Sequence, residues 1–282
     1  MIQTITVCGA GTMGAGIAQV AAQSGFQAFL FDINADVLAK AKTGIEKNLS
    51  IAVEKGKMTA DEKIATLSRL KFETDLNNCK CEMAIEAIIE RLDIKQKLFL
   101  QLAEINGNEA ILASNTSSLS ITQIAAQVPF PGRVVGMHFF NPAHLMKLVE
   151  VISGAATDEN IAETTKAVAQ KMGKTVVMAK DSPGFIVNRV ARHFYVESLK
   201  LAEENVADIS TIDSLLENAG FKMGAFKLMD LIGNDINYSV TESLFNAFHY
   251  DPKFRPSRIQ QQKVLAGHLG KKSGKGFYDY FK

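Results

Sequence analysis

Val7-Cys8-Gly9-Ala10-Gly11-Thr12-Met13-Gly14 decides how the rest of the chain is read. The stretch follows a β-prone run at residues 2–7 and opens into a helix-patterned segment, residues 13–24, that stops at Gly25. It fits G-x-G-x-x-G. The first glycine permits a tight turn, the second lets backbone approach a pyrophosphate, and the third lets helix and strand pack closely. The helix N-terminus that follows supplies N–H donors and positive dipole for phosphates. A second strand-like run, residues 27–31, ends in Asp32, where an acid accepts hydrogen bonds from a ribose 2′-OH. Together these features predict a dinucleotide site built on Gly9, Gly11, Thr12, Met13, Gly14 and Asp32. A carboxylate at Asp32 repels a 2′-phosphate, and no Arg or Lys follows before Lys40, so the expected cofactor is NAD rather than NADP. The competing reading makes Asp32 a cap for the next helix.

Composition narrows the class without naming it. The chain has 282 residues, 47% hydrophobic and 22% charged, which is ordinary for a soluble globular protein of one large or two smaller domains. A net charge of +1 gives no global attraction to nucleic acid, and no apolar run approaches the roughly eighteen residues of a membrane span. The first strand begins beside the start of the chain, so no signal peptide is expected and the expected location is the cytoplasm. Cys8 lies in the glycine turn, and Cys79 and Cys81 form a C-x-C with no second pair. They read as structural thiols, with no metal site.

Beyond Asp32 come two helical segments, residues 36–55 and 60–67. The first is rich in lysine (Lys40, Lys42, Lys47, Lys55). It reads either as a solvated face or as a helical arm whose lysines meet a phosphorylated substrate. Strands are expected at 69–73, 83–88, 110–113, 133–139, 148–152 and 175–178. Helices are expected at 92–105, 121–126 and 158–172, the last with Asp158 as its cap. Such alternation implies a Rossmann-type, doubly wound, mainly parallel sheet with ligands at the carboxyl ends of its strands. After Asp181-Ser182-Pro183-Gly184 the pattern changes to helices alone, at 185–204, 208–219, 224–232 and 236–247. The expected division is an NAD-binding domain over 1–182 and an all-helical C-terminal domain over 183–282.

A bound dinucleotide suggests hydride transfer, and oxidising an alcohol also needs a base for the hydroxyl proton. His138 stands near the end of an expected strand, in His-Phe-Phe-Asn-Pro, and Glu150 lies amid Leu148, Val149, Val151 and Ile152. A carboxylate in an apolar strand is costly unless it has a partner. Consecutive strands would set Glu150 against His138 and hold its ring. His144, six residues further on, competes for the base on pattern alone. Ser114-Asn115-Thr116-Ser117-Ser118 falls at the same sheet end, as a hydrogen-bonding loop or a helix cap. Asn188 sits at the start of the long helix after the linker, facing a ligand or solvent.

Taken in order, GAGTMGAGIA, FDIN, EAIIE, SNTSSLSI, GMHFFNPAHLMKLVEV, DSPGFIVNR, MGAFKLMDLIG and GKKSGKGFYDY resemble the L-3-hydroxyacyl-CoA dehydrogenase family over essentially the whole chain, most closely its bacterial 3-hydroxybutyryl-CoA branch. The resemblance implies His138 as catalytic base and Glu150 as its orienting acid, with Ser117 and Asn188 holding the substrate oxygen. On the cofactor side it adds Glu90, Lys95, Ser117, Asn141 and Lys272 to the glycine turn and Asp32. It places Asn48 and Lys55 against coenzyme A, and implies an acyl-CoA thioester substrate and a homodimer formed by the helical domain. The chain departs from the family pattern at His144, Ala225 and Lys227, all near the expected substrate cleft. Two other readings stay open. One is a dehydrogenase of a free hydroxy acid, of the L-gulonate, carnitine or λ-crystallin kind. The other is an NAD-binding protein without catalysis. At this length no hydratase domain is expected.

Overall fold

A computed structural model describes residues 2–281. The chain forms two units, Met1–Ser182 and Pro183–Lys282. In the first, β1 (Thr4–Cys8), α1 (Thr12–Gln23), β2 (Gln27–Phe31), α2 (Ala35–Glu54), α3 (Ala60–Ser68) and β3 (Leu70–Glu73) come first. They are followed by β4 (Met83–Glu86), α4 (Leu92–Asn106), β5 (Ile111–Ser114), α5 (Ile121–Ala125), β6 (Val134–Phe139), β7 (Leu148–Ser153), α6 (Glu159–Lys171) and β8 (Thr175–Lys180).

The eight strands form one sheet in the order β3-β2-β1-β4-β5-β6-β7-β8. Six strands, β1 to β6, run parallel in the dinucleotide-binding order, and the sheet reverses only between β6 and β7. The reversal follows from the connection. A parallel return needs a crossover of about a dozen residues or more. Residues 140–147 are too few, so β7 turns back beside β6. The central strands read as continuous apolar runs because both faces are covered: Ile5, Val7, Met83, Ile85, Leu112 and Ala113 are fully buried.

Local signals set the helix starts. Asn34 caps α2 by accepting from Asp36 N and Val37 N, and Thr59 with Glu62 forms a reciprocal capping box on α3. Asp158 occupies the N-cap position of α6, but its side chain makes no capping hydrogen bond, contrary to the sequence expectation.

The second unit contains α7 (Val187–Glu203), α8 (Ile209–Asn218), α9 (Ala225–Ile232), α10 (Asn234–Ala247) and α11 (Arg258–Leu265), around Tyr195, Leu199, Ile212, Phe226 and Met229. Helix α11 has no counterpart in the sequence reading. Gln260, Gln261 and Gln262 leave it almost no apolar stripe; Ser257 caps its start, and a distant residue holds that cap. The Glu203 carboxylate accepts from Ser257 Oγ at 2.6 Å and from Arg258 N at 2.9 Å. The C-terminal segment is fastened by two fully buried aspartates. Asp230 accepts from Phe277 N and Tyr278 N, both at 2.9 Å, and Asp213 accepts from the Tyr278 hydroxyl at 2.8 Å.

Candidate active site

The glycine turn is shaped by contacts that only hydrogen allows. A Cβ on Gly14 would collide with the carbonyl of Gly9, which itself sits at φ +100°. At Gly11 the opposite holds: a Cβ would meet no protein atom within 4 Å. Helix α1 begins at Thr12 with no side-chain cap, so its first amides point out of the turn. An open face at the second glycine beside uncapped helix amides fits a pyrophosphate. Asp32 braces the same turn, its Oδ2 accepting from Ala10 N at 2.8 Å and its Oδ1 from Asn34 N at 3.0 Å. The cap of α2 is Asn34, so the capping alternative for Asp32 falls.

At the same edge of the sheet, His138 and Glu150 are register partners across β6 and β7. Their Nδ1–Oε2 distance is 2.8 Å, and the residues are 6% and 0% exposed. The Phe140 ring packs against the imidazole with centroids 4.5 Å apart. Glu150 therefore has the partner that its apolar strand demanded. A carboxylate on Nδ1 fixes the ring and its tautomer, leaving proton exchange to Nε2.

The loop after β5 joins this pair. Asn115 Oδ1 accepts from Phe139 N at 2.8 Å, one residue from His138. Glu90 Oε1 accepts from Thr116 Oγ1 at 2.5 Å, Ser117 N at 3.0 Å and Ser118 N at 3.2 Å. Ser120, just beyond the 114–118 segment, caps α5 and also donates to Asp181 at 2.7 Å.

Lys95 is expected on the cofactor side. It is only 1% exposed, and its ammonium lies 2.5 Å from Glu86 and 3.0 Å from Glu90. Burial alone would push the Glu90 carboxyl up, but Lys95 and the Thr116 and Ser117 donors outweigh it and hold it below the usual range. Burial keeps Glu86 above its usual value, only partly offset by Lys95, Ser114 Oγ and Ile88 N. Sequence reasoning missed Glu86, Asn115 and Thr116 as individuals. The signal for Glu86 was the same as for Glu150: a carboxylate ending the apolar run Met83-Ala84-Ile85.

A cavity of about 360 Å³ lies beside the glycine turn, lined among others by Gly11, Gln19, Lys40, Asn48 and His144. Asn48 Nδ2 donates to Gln19 Oε1 at 3.2 Å. Lys55 caps the far end of α2 and does not line this cavity. Lys40, previously only one lysine in a run, does. His144 is thus separated in role from His138. It lines this cavity, and burial, with the nearby Lys174 ammonium, holds its imidazole below the usual value. Asn141 is exposed in the β6–β7 connection.

The remaining candidates belong to the second unit. Asn188 is on the first turn of α7. Lys272 is paired with Asp235 at 2.6 Å, Lys227 with Glu217 at 2.9 Å, and Ala225 is buried at the start of α9. Among the described residues no helix is long and apolar enough to cross a membrane.

A doubly wound sheet with this turn, and a buried imidazole–carboxylate pair at its carboxyl edge, is the frame of a nucleotide-dependent dehydrogenase. Comparison with known proteins makes the class specific. Residues 4–182 match the 3-hydroxyacyl-CoA dehydrogenase NAD-binding domain and residues 184–280 the C-terminal domain of the same enzymes. The chain belongs to the 3-hydroxyacyl-CoA dehydrogenase family of NAD-dependent oxidoreductases. It is 50% identical to 3-hydroxyadipyl-CoA dehydrogenase of Escherichia coli K12 over 99% of its own length, but spans only 59% of that relative. With the probable 3-hydroxybutyryl-CoA dehydrogenase of Bacillus subtilis the identity is 43%, covering 99% of this chain and 98% of the relative. The crystal structure of (S)-3-hydroxybutyryl-CoA dehydrogenase from Ralstonia eutropha superposes with a TM-score of 0.96 at 37% identity over the whole of both chains. The fold class, the family and the cofactor read from the sequence agree with these findings.

Proposed function

We propose that this chain catalyses the NAD-dependent oxidation of L-3-hydroxyacyl-CoA, 3-hydroxybutyryl-CoA foremost, to the 3-ketoacyl-CoA, and the reverse reduction. The observation that carries the reading is the His138–Glu150 pair, 2.8 Å apart and buried at the sheet edge that carries the glycine turn. Bound at Gly9–Gly14 and Asp32, NAD supplies the hydride acceptor. His138 Nε2 takes the 3-hydroxyl proton, and Glu150 stabilises the imidazolium that results. Ser117, held by Glu90 through its backbone N–H, presents its hydroxyl to the substrate oxygen. Asn188 is assigned to the same oxygen on the PGFIVNR motif alone. Glu90, Asn141 and Lys272 are assigned to the cofactor on the same kind of warrant. Lys95 is better described as the buried counter-ion that holds Glu90.

The coenzyme A handle separates this reading from a free hydroxy acid. Lys40 and Asn48 give the cavity beside the glycine turn a cation and an amide, which suit a phosphorylated substrate. Lys55 extends the basic face of α2 beyond it. On the resemblance, the helical unit forms a homodimer. A cytoplasmic location suits three cysteines without a disulfide.

The test follows NADH absorbance with acetoacetyl-CoA and with free acetoacetate, and NADH formation from L-gulonate. Turnover confined to the thioester supports the proposal. Turnover confined to the free acids transfers the chain to the hydroxy-acid reading, and NADH binding without any turnover to the non-catalytic one.

A further inference from the structure

Five side chains around the Ser117 loop form a closed ring. Glu86 Oε1 takes the Lys95 ammonium at 2.5 Å, and Lys95 also reaches Glu90 Oε2 at 3.0 Å. Glu90 Oε1 accepts from Thr116 Oγ1 at 2.5 Å, and Thr116 N donates to Ser114 Oγ at 3.2 Å. Ser114 Oγ donates back to Glu86 Oε2 at 2.7 Å. Glu86, Lys95 and Ser114 are buried to within 1% of full enclosure. The bonds among Glu86, Lys95 and Ser114 end on buried groups that could not be left unpaired cheaply.

We propose that Glu86 is a positioning residue for the substrate-oxygen step: it sets Ser117 from a distance through the two arms of this ring. The inference rests on Ser117 holding the substrate oxygen, as proposed above. One arm runs through the ion pair. Lys95 anchored on Glu86 fixes the Glu90 carboxylate, and that carboxylate accepts the Ser117 backbone N–H at 3.0 Å. The other runs through Ser114 to the backbone N–H of Thr116, the residue before Ser117. Glu86 is itself fixed by Ile88 N at 2.8 Å and by its place in β4, paired with Ser114 of β5. The loop that carries Ser117 is therefore referenced to two central strands and not to solvent. Replacing Glu86 by Gln keeps the shape but offers an N–H₂ where either the ammonium or the Ser114 hydroxyl needs an acceptor. The Lys95 ammonium loses its buried counter-charge and the Ser114 hydroxyl must turn from donor to acceptor, which loosens both arms of the ring. A misplacement of about 1 Å in a positioned group costs on the order of 10²-fold in rate.

The experiment is a double-mutant cycle on the full-length protein with acetoacetyl-CoA and NADH, with rates expressed per NADH-binding site so that misfolded protein is not counted. E86Q is expected to lower kcat by roughly 10- to 100-fold with a smaller change in KM, and S117A to lower it as well. In the S117A background, E86Q is expected to cost little further, because the group it positions is gone. Ser114→Ala opens only the second arm. It is expected to show the same pattern at smaller size, and serves if E86Q fails to fold. Equal losses from E86Q or S114A with and without Ser117, or full activity of both, would overturn the assignment. An inactive wild type, or an S117A variant as fast as wild type, would instead overturn the reading of the site itself.

Discussion

The carboxylate of Asp32 accepts the backbone N–H of Ala10 at 2.8 Å, so the acid at the end of β2 also braces the turn that the cofactor phosphates approach. One oxygen of Asp32 is committed to Ala10 and the other to Asn34 N. On the proposed assignment of Asp32 to the ribose, recognition of the sugar and rigidity of the turn depend on a single side chain. Asp32→Ala is expected to raise the KM for NADH by roughly tenfold or more, since a hydrogen bond to a charged group is worth about 1.5–3 kcal/mol. It is also expected to narrow the preference over NADPH. The check is steady-state kinetics with both cofactors, and an unchanged cofactor preference would remove Asp32 from ribose recognition.

Glu150 meets His138 as its direct cross-strand partner. Glu150→Gln keeps the volume in a fully buried position but replaces the carboxylate proposed above to steady an imidazolium. The expected loss is in kcat, about 10²–10⁴-fold, with KM for the thioester little changed. A variant that lost substrate affinity and kept kcat would show that Glu150 serves only packing.

In the helical unit, Asp213 and Asp230 hold the last turns of the chain from fully buried positions. Asp230→Ala would leave the backbone N–H groups of Phe277 and Tyr278 without their acceptor, and Asn234 Nδ2 with only the His268 carbonyl. Each buried donor left unmade costs about 1–3 kcal/mol. The C-terminal segment is expected to become protease-sensitive, and the melting midpoint to fall by several degrees. Limited proteolysis read by mass spectrometry checks this, and a protected tail in the variant would contradict it.

Cys8 is fully buried, and burial pushes its thiol well above the ordinary range. Burial, with Glu73 and Cys81 nearby, pushes Cys79 up to about 12. The thiolate is the reactive form, so at pH 8 roughly one Cys79 in 10⁴ is ionised. Native protein is expected to resist iodoacetamide at Cys8 and Cys79, and to label there only once unfolded. Labelling of Cys79 rises with pH as it approaches that value, because a higher pH populates the thiolate. Rapid modification of Cys8 at pH 8 would show that the β1 end is open to solvent.

The periodicity of apolar residues made the sheet and most helices legible, because strands buried on both faces and helices packed on a sheet carry their burial in the local pattern. Glu150 was legible for a related reason: a carboxylate inside Leu148–Ile152 demands a partner, and His138 lay one strand away. The ring through Glu86, Lys95 and Ser114 was not. Its members come from β4, α4 and β5, and which buried donor meets which acceptor is settled only when those elements pack. Lys95 shows the same limit, since in sequence it is one lysine on an amphipathic helix and in the fold it is the counter-ion of two carboxylates. Helix α11 escaped because it carries almost no apolar stripe, and its Ser257 cap is itself held by Glu203, more than fifty residues earlier. The Asp158 cap erred in the other direction, because a residue suited to capping need not form the bond.

The most direct measurement compares wild type and His138→Asn in the reduction of acetoacetyl-CoA, following NADH absorbance with NADH affinity measured alongside. Wild type is expected to consume NADH only when the thioester is present. The variant is expected to bind NADH as tightly but turn over roughly 10²–10⁴-fold more slowly. Equal rates in the two proteins would contradict His138 as the proton acceptor, and with it the buried pair as the centre of the chemistry.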